Sequence, residues 1–186
     1  LYYRSNRGLA SYYRNLTSLT RQPCILHNDP TLIDQLARSF KRNNIRTAIL
    51  KEVLGIEDIR GLVYRGSLDR AANYHKATRA RLDFRIYDGD ELSFLTHPSL
   101  SGVVSAGSNL SPKAWSRITK ASLGLNDTGE DYPDRLQQIW KTGRYLRTLL
   151  DLYSSQAVQV IKRVLSEAGI LESPRCTVPD EDVGEE

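Results

Sequence analysis

Lys51 and Glu52 follow a short apolar run, Ala48-Ile49-Leu50, within "RTAILKEVLG" (46–55). Such a run reads as a buried strand, and a lysine at the end of a buried strand can do chemistry. Apolar surroundings disfavour its charged form and lower its pKa. The neutral amine can then attack a ketone or aldehyde and form a Schiff base. The resulting iminium draws electrons from a neighbouring carbon–carbon bond. The same residues also admit a structural reading, a rim lysine paired with Glu52 or Asp90. The strand pattern leaves both open.

Three further polar clusters end strand-like runs. His27-Asn28-Asp29 closes "PCILHND" (23–29), Asp88-Gly89-Asp90 closes "DFRIYDGDE" (83–91), and Ser105 to Asn109 follow "SGVV". His27 could serve as an acid or base near neutrality, or as a satisfied structural group. "DGD" reads first as a turn, since no calcium-loop pattern follows it. No pair of histidines with a carboxylate has metal-ligand spacing, so no metal is expected. "GVVSAGSN" is not a dinucleotide fingerprint.

These clusters need elements to hold them. Helical spacing is expected over 31–44 (Leu32, Ile33, Leu36, Phe40), 56–66 (Ile56, Ile59, Val63) and 69–81. A short helix precedes Pro98, and Ser111-Pro112 opens another. Strands alternating with helices predict an α/β fold with a parallel sheet and helices outside it. In such folds the site lies at the carboxyl ends of the strands. After Gly124 the pattern is helical to the acidic "PDEDVGEE". Two regions are therefore expected, 1–124 and 125–186.

Composition bounds the rest. The chain has 186 residues, 26 Lys and Arg against 22 Asp and Glu, and a formal net charge of +4. No apolar run approaches the ~18 residues of a membrane helix, and no secretory signal is present, so no membrane contact and a cytoplasmic location are expected. Cys24 and Cys176 are far apart and match no metal spacing, so a reduced cytosolic setting is expected. The two glycosylation patterns, "NLT" and "NDT", are read as chance. "ARSFKRNNIR" (37–46) is the densest basic stretch and reads as a solvated helix face rather than a nucleic-acid patch.

Five segments in order resemble the dihydrodipicolinate synthase / N-acetylneuraminate lyase family. They are "LYYRSNRGLASYYRNL", "QPCILHNDP", "ILKEVLG", "IYDGDE" and "GVVSAGSNLSP". They are similar to that family's Tyr-Tyr loop, Pro-x-x-x-Tyr-Asn-x-Pro strand, Ile-Lys-Glu-x-x-Gly strand, Gly-Asp-Asp segment and Gly-Val-Ile-Ser…Asn…Pro segment. The resemblance implies a (β/α)8 TIM barrel, of which this chain would cover about strands 5–8 and the extra C-terminal helices. It implies a Schiff-base lyase or aldolase acting on pyruvate or another 2-oxo acid, with no cofactor. It assigns the imine to Lys51 and matches Tyr3 to the tyrosine that reaches a neighbouring subunit's site, so Lys51, His27 and Tyr3 are the expected catalytic residues, with Tyr3 helping His27 shuttle protons. Gly89, Val104 and Asn109 would line the substrate pocket. A homo-oligomer, tetramer or dimer, follows from the same source.

The departures are specific. On the strand before the lysine the family carries a proton-relaying tyrosine, and His27 stands there. The arginine segment that follows in the synthases is missing after "HNDP". The chain has no methionine and is shorter than the about 250 residues of a complete barrel, so it reads as a fragment or as one part of a barrel. The alternative function is a catalytically altered or inactive barrel relative that binds a small acid or a protein partner.

Overall fold

Local sequence builds the first half of the molecule as strand, helix, strand, helix, strand. The computed structural model describes residues 6–36, 43–98, 101–124 and 132–176. Tyr3, most of the basic stretch 37–46 and the acidic tail lie outside the described residues. Helix α1 (Leu9–Thr20) leads into strand β1 (Cys24–Asn28) and the short helix α2 (Pro30–Leu36). Helix α3 (Thr47–Val53), strand β2 (Ile59–Tyr64), helix α4 (Leu68–Thr78), strand β3 (Arg85–Asp88) and helix α5 (Glu91–Thr96) follow.

The three strands form a parallel sheet with β2 in the centre. Leu26 pairs with Leu62, which pairs in turn with Ile86, and Asn28 pairs with Tyr64, which pairs in turn with Asp88. Their side chains point to the helical layer, because alternate residues of a strand face opposite sides. There Leu26, Leu62 and Ile86 join Leu50 and Val53 of α3 and Ala71 and Tyr74 of α4 in one core. The other face carries Ile25 with Gly61 and Arg85, then His27 with Val63 and Tyr87. Beyond β3 a single parallel bridge joins Asp88 to Val103. Among the described residues, the fourth strand expected from "SGVV" amounts to that bridge.

Two elements exchange the roles expected of them. "RTAILKE" is helix α3, not a strand, and "IRGLVY", expected to be helical, is strand β2. Helix α3 buries Leu50 and Val53, three residues apart, and leaves Lys51 and Glu52 exposed. That is one-sided helical burial, which a run of only three apolar residues could not distinguish from a strand. β2 is rich in β-branched and aromatic residues and holds Gly61 at its middle, a composition suited to a strand and poor for a helix. Arg81 fixes the entry to β2 by donating to the carbonyls of Leu54, Ile56 and Glu57 at 2.7–2.9 Å.

Residues 1–104 and 105–186 form two compact units. The second contains a 3-10 turn (Gly107–Asn109) and helices α6 (Pro112–Ser122), α7 (Tyr132–Tyr153) and α8 (Ala157–Glu167). Trp115, Ile118, Leu146, Tyr153 and Ile161 are buried in it. The sequence boundary at Gly124 falls inside this unit, between α6 and α7.

Candidate functional site at the carboxyl ends of the strands

Asp29, immediately after β1, caps α2. Its Oδ1 accepts from the backbone N–H groups of Thr31 and Leu32 at 2.9 and 3.1 Å, and Pro30 fills the first helical position, where no N–H is needed. Asp90, two residues after β3, caps α5 in the same way, its Oδ1 accepting from Ser93 N at 2.7 Å. The second oxygen of each carboxylate faces Arg65, the residue following β2. Arg65 Nη1 lies 3.6 Å from Asp29 Oδ2, and Nε lies 3.5 Å from Asp90 Oδ2. Two helix caps thus hold one half-exposed guanidinium over the end of the central strand.

Gly89 lies directly beside this arginine. A Cβ there would meet Val63 Cγ1 at 3.1 Å and Arg65 Cβ at 3.2 Å, so the lack of a side chain lets β3 close on β2. Gly89 N donates to Tyr64 O, and Val104 N to Asp88 O. Gly89 and Val104 are therefore both tied by their backbones to the ends of the strands. His27 stands at this rim too, exposed on β1 in register with Val63. Asn109 belongs to the second unit, where its Nδ2 donates to Ala106 O.

Asn28 holds the rim from below. It is 1% exposed. Its Oδ1 accepts from Ile45 N at 2.9 Å, and its Nδ2 donates to Asn43 O at 3.2 Å. The Tyr74 hydroxyl donates to Ile45 O at 2.7 Å and lies 3.1 Å from the same Oδ1. Asp88 is also buried. Burial pushes its carboxyl above the usual range and the nearby Asp90 adds to this, against the Asp90 N–H that bonds Asp88 Oδ1.

Lys51 is not at this rim. It sits on the exposed side of α3, in the helical layer, with the sheet between it and the His27 face. The strand following β1 is β2, and β2 contains no lysine. The position in register with His27 is Val63. The expected lysine-bearing strand was thus assigned one element too early. Arg65 and Val63 were missed for the same reason. "GLVYRG" carried the signal, an aliphatic and aromatic run bounded by glycines.

A sequence model of the dihydrodipicolinate synthetase family matches residues 1–186. The chain belongs to this family. It is 27% identical over 189 residues to a 4-hydroxy-tetrahydrodipicolinate synthase of Nitrosospira multiformis, a match covering 89% of this chain and 60% of that protein. It is 28% identical over 121 residues to the enzyme of the same name from an Azoarcus species, covering 64% of this chain and 38% of the relative. A crystal structure from Thermus thermophilus, provisionally named a dihydrodipicolinate synthase, superposes with a TM-score of 0.63 at 22% identity. That likeness covers 94% of this chain and 55% of the other and shows the fold. The chain thus spans about 40–60% of the length of these dihydrodipicolinate synthetase family relatives. Its parallel sheet with helices on one face is part of the family's barrel architecture.

Proposed function

We propose that this chain forms the strand 5–8 portion of a family barrel and takes a small 2-oxo acid at the carboxyl ends of β1–β3, without an imine on Lys51. The observation that carries this reading is Val63 in register with His27. The strand on which the family's resemblance requires the imine lysine offers an aliphatic side chain there. Arg65 supplies positive charge for a carboxylate. His27 supplies a group that can donate to a carbonyl oxygen. Neither forms the imine. This is the binding or chemically altered relative.

A second reading keeps the lyase, a pyruvate imine followed by carbon–carbon bond formation or cleavage. The relatives named as synthases favour it at the family level.

Borohydride reduction of the protein with pyruvate, followed by peptide mass analysis, separates the two. The expected result is no reduced pyruvyl adduct on Lys51, together with reversible pyruvate binding that weakens in Arg65→Ala. An adduct on Lys51 would restore the lyase reading.

A further inference from the structure

Lys51 lines a different feature. An open groove of about 360 Å³ runs between α3 and α4, lined by Thr47, Lys51, Arg70, Asn73, Lys76 and Ala77. Thr47 and Lys51 are four residues apart on α3, and Arg70, Asn73 and Ala77 follow helical spacing on α4, so each helix turns one face to the groove. Three cations converge there. None of them has a carboxylate within ion-pair distance among the described residues.

Lys51 and Lys76 each lie in the last turn of their helices, where the helix dipole favours a cation. Arg70 does not share that explanation. It is the third residue of α4, at the positive end of the dipole, where a cation is disfavoured. Asp69 offsets the dipole in the same turn but does not line the groove. Thr47 and Asn73 add neutral donors. The groove's chemistry is that of an anion-binding surface, with a planar guanidinium, two ammonium groups and two side chains able to donate hydrogen bonds.

We propose that the α3–α4 groove binds a small ligand through a phosphate or pyrophosphate group. A single carboxylate would leave two of the three cations unmatched, whereas a phosphoryl group presents several acceptor oxygens and up to two negative charges. The site is on the helical layer, so its occupancy is independent of the 2-oxo acid rim and survives failure of that reading.

The test is calorimetric titration of the protein with inorganic pyrophosphate, with sodium chloride at matched ionic strength as the control. Saturable binding is expected, weakened about tenfold or more in Lys51→Gln/Arg70→Gln. Lys76→Gln, at an exposed position, is expected to weaken it about threefold and serves if the double variant fails to fold. No saturable binding, or affinity unchanged by Lys76→Gln and the double variant, would overturn the site. Citrate binding as tightly as pyrophosphate would overturn the phosphate class.

Discussion

At the scale of single residues, the rim is made of side chains with structural duties. Asn28 satisfies groups from three directions, and Asp29 and Asp90 each cap a helix with one oxygen while facing Arg65 with the other. Asn28→Ala leaves the Ile45 N–H and Asn43 carbonyl without their partner in a buried place, so a loss of about 2 kcal/mol is expected in denaturant unfolding. Asp88 carries the pH dependence. Its carboxyl is raised by burial, so its ionisation opposes folding. Its favourable contribution is complete below the unfolded value and is lost as pH rises through the raised folded value. Asp88→Asn keeps an oxygen for the Asp90 N–H and removes the buried charge. Its Tm is expected to exceed the parent's at pH 7, with the difference shrinking as the pH falls through the raised value towards the unfolded one. A difference that stayed constant with pH would show that the carboxyl charge is not its source. The polar character of these strand ends was legible from residue types. That Asp29 and Asp90 are caps sharing an arginine was not, because the spacing of Ile56, Ile59 and Val63 before the arginine suits a helix.

At the scale of elements, two glycines make opposite predictions. In β2, a Cβ on Gly61 would stand 2.6 Å from the backbone carbonyl oxygen of Arg85. The neighbouring strand cannot yield without breaking its ladder, so Gly61→Ala is expected to destabilise by about 1–3 kcal/mol. In α7, a Cβ on Gly143 would meet only the Ile118 Cδ1 at 3.4 Å, an ordinary contact with a mobile methyl. Gly143→Ala should instead stabilise by about 0.5–1 kcal/mol, through helix propensity and a less disordered unfolded chain. Thermal unfolding of both variants checks the pair. Gly61 also shows why the sequence misled. Its close approach to β3 is a tertiary fact, and the helical spacing of Ile56, Ile59 and Val63 competed with the strand composition of "GLVY". By contrast β1, β3 and α4 to α6 were legible, because turn residues, helical spacing or Pro112 marked them locally.

At the scale of the whole molecule, each compact unit has its own apolar interior. Leu62, fully buried on β2, belongs to the first. Leu146, fully buried on α7, belongs to the second. In the sequence the strand pattern stops at Gly124. The compact unit begins earlier, at Ser105, because α6 packs with α7, and no local signal reveals a long-range partner. Strand–helix alternation pointed to the parallel sheet, whereas the family resemblance put the lysine on the wrong element, since short motifs align without reporting which strand they occupy. Cavity-forming substitutions test the division directly. Leu62→Ala and Leu146→Ala should each cost about 3 kcal/mol. In native-state hydrogen exchange, the first should lower protection of β1–β3 amides and the second that of α6–α8 amides. If Leu62→Ala left β1–β3 protection intact while reducing that of α7, the assignment of this core would fail. The expected pattern places the strand-end rim proposed for a 2-oxo acid and the α3–α4 groove proposed for a phosphate in the same cooperative unit, so ligands at either should raise protection across β1–β3.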